Sequence, residues 1–168
     1  MSSTASEQFN KPVHLSVTSE TENVAVIRQA VQEAVSRVGF SESVVAEITL
    51  AIDEAVTNVI RHGYDGQPGQ PIELTIEKIE RQGRKGLQFI IRDSGRQVDP
   101  ETIVGRDLAD IRPGGLGTHI LKTVMDEVEY TRRQSAGMQL RLVKMIESSD
   151  SRSCGTASKT QEDSSDGK

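Results

Sequence analysis

The run "FIIRDSG", residues 89–95, delivers Asp93 at the end of an apolar stretch and Gly95 two residues later. An ionised aspartate only accepts hydrogen bonds, so it suits a donor such as the exocyclic amino group of adenine. A glycine two residues on lets a flat ligand approach the backbone closely. Alone, the tripeptide "DSG" is weak, because most such tripeptides are plain turns. A second run, "RPGGLGTHIL", places Gly114, Gly115, Leu116, Gly117 and Thr118 at the entry to a helix. Free N–H groups at a helix N-terminus attract phosphate, and small residues let it come near. No G-K-[ST] follows and no βαβ unit surrounds the glycines, so this is neither a Walker A loop nor a dinucleotide fingerprint.

The third run is "DEAVTNVIRHGYDG", residues 53–66. At helical spacing, Val45, Ile48, Ile52, Val56 and Val59 form one apolar stripe. Glu47, Glu54 and Asn58 lie well away from it, with Ala51 between them and His62 near the edge. The face is less polar than a solvated one, which leaves two readings open: a semi-buried carboxylate–amide site, or a solvated stripe with an accidental Glu/Asn pair.

These residues need a scaffold, and the patterning supplies one. "VHLSVTS", 13–19, alternates as a strand. Val24, Ile27, Val31 and Val35 predict a first helix ending at Gly39, and Ser41 opens a second that runs to about Arg61 or His62. "PIELTIEKIER", 71–81, is a strand, "RQGRKG" a turn, and "LQFIIRDSG" a more apolar, central strand. Residues 96–117 hold only a weak helical stretch, and a connection that long in a compact domain is functional or disordered. A third helix, "THILKTVMDEV", carries Ile120, Val124 and Val128. "EVEYTRR" and "MQLRLVKMI" close the order as a hairpin around "QSAG". Strands in neighbouring pairs favour a two-layer α/β (α+β) sandwich. Its sheet, mixed and mostly antiparallel, has about five strands, with three helices on one face.

Bulk properties narrow the classes. A chain of 168 residues is normally one domain. The division expected is a lead-in over 1–11, a domain over 12–146 and a disordered Ser-rich acidic tail over 147–168, either solubilising or regulatory. A net charge of −5 gives no basic field for nucleic acid. No apolar run is long enough to span a membrane and no secretory core opens the chain, so a cytoplasmic location is expected. Cys154, the only cysteine, excludes a disulfide framework and a Cys-based zinc site.

Taken in order, "EAVTN", "DSG" and "GGLG" resemble the N, G1 and G2 boxes of the GHKL (Bergerat-fold) ATP-binding superfamily. "AIDEAVTNVIRHGY" and "GGLGTHILKTVMDEVEY" are similar to segments of its bacterial anti-sigma factor serine/threonine kinases, and the resemblance covers roughly 12–145. It implies ATP and Mg²⁺ as cofactors. Asn58 becomes the Mg²⁺ ligand and Glu54 the general base on an incoming serine hydroxyl. Asp93 binds the adenine amino group and Gly95 lets the ring lie close. Gly115 and Gly117, with Leu116, hold the phosphate end of a lid spanning about 96–117, and Gly114 is its hinge. Thr118 either reaches a phosphate or caps the turn. The implied partners are a STAS-type anti-sigma factor antagonist as substrate, a sigma factor, and a second copy of the chain. No contact with nucleic acid or membrane is expected.

The chain departs from the family pattern in places. Gln97 stands where many members have glycine, after the bulky Arg96; Thr118 and His119 follow "GGLG"; and Gly137-Met138 opens the last strand where Gly-Thr is common. The leading function is a protein kinase acting by partner switching. A non-catalytic nucleotide-gated regulator and a detached histidine-kinase ATP-binding module are the alternatives. His62 and Tyr64 are expected to be structural, and His14 to lie on the sheet surface.

Overall fold

The computed structural model describes residues 11–104 and 116–147. Strand β1 (Val13–Thr18) leads into helices α1 (Asn23–Val38) and α2 (Glu42–Asn58), and α2 runs on into a π-helical turn, Val59–Gly63. Strands β2 (Pro71–Arg81) and β3 (Arg84–Asp93) follow, then the short helix α3 (Pro100–Val104). Helix α4 (Leu116–Val124) precedes strands β4 (Glu127–Arg132) and β5 (Met138–Met145). The five strands form one sheet in the order β1-β2-β3-β5-β4. Every neighbouring pair is antiparallel, so the mixed sheet expected from the sequence is antiparallel throughout.

Alternation builds one apolar face on this sheet. Ile72, Leu74 and Ile76 of β2, Leu87, Phe89 and Ile91 of β3, and Leu140 and Leu142 of β5 are all buried. They share a core with Val24, Ile27, Val31, Ala34 and Val35 of α1. α1 stops at Gly39, whose φ of +100° needs a residue without Cβ strain.

α2 packs against both α1 and α4 as well as contributing to the core, so its buried stripe is wide. Ile48, Thr49, Ala51, Ile52, Ala55 and Val56 are buried, whereas Val45 and Val59 are only partly so. Ala51, placed by the sequence between Glu47 and Glu54, is completely buried.

Two boundaries differ from expectation. The turn expected over "RQGRKG" contracts to Gln82 (φ +52°) and Gly83 (φ +74°). Two successive positive φ values match the twist of the flanking strands, so pairing continues up to Arg81↔Arg84. The third helix ends at Val124 rather than reaching Val128. Asp126 N–H donates to the Val143 carbonyl at 2.8 Å, and Asp126 Oδ2 accepts from Met145 N–H at 2.6 Å. β5 therefore captures the chain at Asp126, and Val128 joins β4 opposite Leu142.

Candidate active site

Glu54 and Asn58 sit four residues apart on α2, which puts them on one face. Both are partly buried, and neither makes a hydrogen bond or ion pair among the described residues. A carboxylate and an amide held at a packed helix end without partners among the described residues suit a ligand. Directly after Asn58 the helix widens into the π turn. Single π turns inside helices recur at functional sites because they redirect the following backbone.

Here the redirected backbone meets the end of β3. The Gly63 carbonyl accepts from Arg96 N–H at 2.9 Å. Gly95 lies so close that a Cβ there would fall 2.3 Å from the same carbonyl oxygen. Gly95 thus has a steric duty inside the protein, in addition to the room it was expected to leave for a ring. Tyr64, 6% exposed, closes the joint: its hydroxyl accepts from Ser94 N–H at 2.6 Å and donates to the Pro71 carbonyl. Burial, followed by the nearby Asp93 charge, raises the Tyr64 pKa above its usual value and keeps the phenol a donor. His62 contributes its carbonyl to Arg96 Nη2 at 3.5 Å. His14 pairs with Thr75 at 3.1 Å on the sheet.

Asp93 is 4% exposed. Its Oδ1 accepts from Gly95 N–H at 2.8 Å and from Met138 N–H at 3.3 Å. Among the described residues, no donor reaches Oδ2. Burial pushes the carboxyl above its ordinary pKa, while the two backbone N–H groups and the Arg133 charge pull the other way. A buried carboxylate with one oxygen committed and one open is a fixed acceptor for a ligand N–H.

The β4–β5 turn backs this arrangement. Gly137 (φ +79°) packs so tightly that a Cβ would lie 2.0 Å from the Asp93 carbonyl oxygen. Gln97, at the position where glycine is common, donates to the Arg133 carbonyl at 2.6 Å. Arg132 Nε donates to the Val98 carbonyl at 3.0 Å. Sequence reading gave no role to Gly63 or Arg133 and did not foresee this use of Tyr64. The only local signal was a glycine in a hairpin turn, and the contact partners are tens of residues away.

The structure therefore brings Asp93 and Gly95 against the end of α2, just beyond Asn58. Leu116, Gly117 and Thr118 form the first residues of α4, which packs against α2. Gly114 and Gly115, and the expected lid between 105 and 115, lie outside the described residues.

Three kinds of comparison with known proteins agree with this geometry. Residues 17–144 match the model of the histidine kinase-like ATPase domain. The chain is 26% identical over 143 residues to the serine-protein kinase RsbW of Bacillus pumilus, spanning 80% of this chain and 85% of that one. It is 30% identical over 125 residues to the serine-protein kinase RsbW of Listeria monocytogenes, spanning 70% and 77%. Among solved structures, the RsbU and RsbW domains of Rv1364c from Mycobacterium tuberculosis share the fold, with a TM-score of 0.53 at 16% identity. That match covers 79% of this chain and 31% of the longer one. The chain belongs to the histidine kinase-like ATPase family, in its branch of anti-sigma factor serine kinases.

Proposed function

We propose that the protein is an ATP-dependent serine/threonine protein kinase that phosphorylates a STAS-type anti-sigma factor antagonist. By the same reading it binds a sigma factor when the antagonist is phosphorylated. The observation that carries the nucleotide part is Asp93, buried, with Oδ1 held by two backbone N–H groups and Oδ2 open. That open acceptor fits the adenine amino group, while the 6-oxo group of guanine would face it with a second acceptor.

The donor set also fits a magnesium ion carried by the nucleotide. Among the described residues no cluster of three or more His, Cys, Asp or Glu could hold a metal. Mg²⁺ commonly takes one or two protein oxygens and completes its octahedron with phosphates and waters. The amide oxygen of Asn58, without a partner among the described residues, is the group that would take this place. The ion would neutralise charge on the phosphates.

Glu54, one helical turn before Asn58, would accept the proton of the incoming serine hydroxyl. The hydroxyl oxygen then bonds to the γ-phosphorus as the bond to the β-phosphate oxygen breaks, releasing ADP. The i, i+4 spacing brings base and phosphate together on one helix face. Gly115 and Gly117 would hold the phosphate end of the lid, with Gly114 as its hinge. β1 lies at one edge of the sheet, and that edge would pair in a homodimer. No described helix is long and apolar enough to cross a membrane. With a sigma factor as partner, the protein would work in the cytoplasm.

Intact-mass measurement of a candidate antagonist incubated with Mg·ATP tests the reading. One phosphate is expected per acceptor serine. Glu54→Ala should slow transfer by about 10² to 10⁴ while ATP still binds. Nucleotide binding without transfer to any candidate antagonist would favour a gated binding module. Transfer to a histidine would favour a detached histidine-kinase module. Folded protein that binds no ATP would defeat all of these readings.

A further inference from the structure

The turn between β4 and β5 grips the end of β3 more firmly than a hairpin connection requires. Arg133 is half-buried, and its Nη1 donates to the Asp93 carbonyl at 2.6 Å. Its own N–H closes the turn onto the Gly137 carbonyl at 3.1 Å, and its carbonyl is held by Gln97. Gly137 presses on the same Asp93 peptide. A turn arginine ordinarily keeps its head in water, where it is well solvated. This one turns inward to the peptide that carries a buried carboxylate.

Two charged or titratable groups act on Asp93 among the described residues. One is Arg133 of the β4–β5 turn; the other is Tyr64 of the segment after α2, whose phenol stays neutral. The burial of Asp93 is offset first by the Gly95 and Met138 N–H groups and then by the guanidinium charge. The guanidinium cannot be deprotonated in a protein, so that help does not vary with pH.

We propose that Arg133 is a positioning residue for the nucleotide site: it fixes the end of β3 and sets a positive charge on the peptide that carries the base-reading carboxylate. The inference rests on the reading of Asp93 as the acceptor for the adenine amino group. Its consequence is chemical. An ionised Asp93 accepts only, and selects a base with an amino group. A protonated Asp93 can donate to a 6-oxo group, so loss of Arg133 should blur the choice between the two base types.

The test compares ATP with inosine triphosphate, measuring Kd on the full chain from acidic to neutral pH. Arg133→Met is expected to weaken ATP several-fold at neutral pH and to narrow the preference for ATP. The acid limb of ATP binding should move to higher pH. Arg133→Lys should restore the acid limb, because it keeps the charge, without restoring full affinity, because it loses the planar fork. If Arg133→Met does not fold by circular dichroism, Arg133→Gln replaces it, keeping a donor without the charge, and the same outcomes apply. Equal weakening of both nucleotides with an unmoved acid limb would reduce Arg133 to a structural role and overturn the proposal. Asp93→Ala separates the two levels of inference. If it leaves ATP binding intact, the reading of Asp93 itself falls. If it weakens ATP while the Arg133 variants behave like wild type, only the role of Arg133 falls.

Discussion

A carboxylate that is 4% exposed, with no donor on one oxygen among the described residues, is costly to the protein without a ligand, and under the proposed reading it is the group the nucleotide would satisfy. Asp93 has a folded pKa above its unfolded value, with burial as the leading cause. The sign follows from linkage. Its contribution favours the fold fully below the unfolded pKa and is lost as pH rises through the folded pKa. At neutral pH the nucleotide-free protein therefore carries a penalty. Asp93→Asn keeps an acceptor for Gly95 and Met138 and removes the charge. The expected outcome is a higher Tm than wild type near neutral pH, a difference that shrinks as the buffer is acidified. ATP affinity should fall about tenfold or more, since a hydrogen bond to a charged group contributes roughly 1.5–3 kcal/mol. Thermal melts across pH, with a titration of ATP into each protein, check both halves. A variant less stable than wild type at neutral pH would contradict the argument. Asp93 was legible in the sequence because an acid at the end of an apolar strand stands out by type. The commitment of its Oδ1 to Met138 was not, because β5 begins 45 residues later.

At the scale of elements, the site is a joint between the end of α2, the end of β3 and the β4–β5 turn. Three glycine backbones make it possible: Gly63 and Gly95 touch each other, and Gly137 touches Asp93. Gly137→Ala adds a Cβ 2.0 Å from a backbone oxygen at a positive φ, so the turn must move. A loss of about 2 kcal/mol or more is expected in urea unfolding, together with weakened nucleotide binding. Tyr64→Phe removes the hydroxyl that joins Ser94 N–H to the Pro71 carbonyl, and each hydrogen bond lost costs about 0.5–1.5 kcal/mol. Equilibrium denaturation of both variants checks these values, and wild-type stability for either would mean the joint is looser than drawn. The strands and helices themselves were readable from period and breakers, as in β2, α1 and the stop at Gly39. The third helix was overrun because Val128 continues its spacing, and only the Asp126 contact with β5 ends it. The steric duty of Gly95, beside its expected role toward ligand, was not legible, because sequence alone cannot reveal that Gly63 lies across from it.

For the whole molecule, the sheet order matters most. β2–β3 and β4–β5 are hairpins, each closed by a short turn. Their strands pair along β3 and β5, from Gly86↔Met145 to Arg92↔Gln139, and Arg81 of β2 adds an ion pair to Glu127 of β4. The order of elements was legible, but not which strands become neighbours, since β3 and β5 are separated by two helices. Asp93 comes from one hairpin, whereas Arg133, Gly137 and Met138 come from the other. ATP should therefore protect the β3–β5 amides from hydrogen exchange more than those pairing β1 with β2. At a hundredfold excess over Kd, the gain for openings that abolish binding is about 2.7 kcal/mol. Uniform protection of all strands would mean the sheet opens only as a unit.

The seam gives nucleotide supply a second meaning. A ligand held by Asp93, which the other hairpin grips through Arg133 and Met138, would regulate persistence as well as chemistry. When ATP is scarce, the empty molecule should part first between β3 and β5, exposing two unpaired strand edges. Limited proteolysis with and without ATP would then read the energy state of the solution from the survival of the chain.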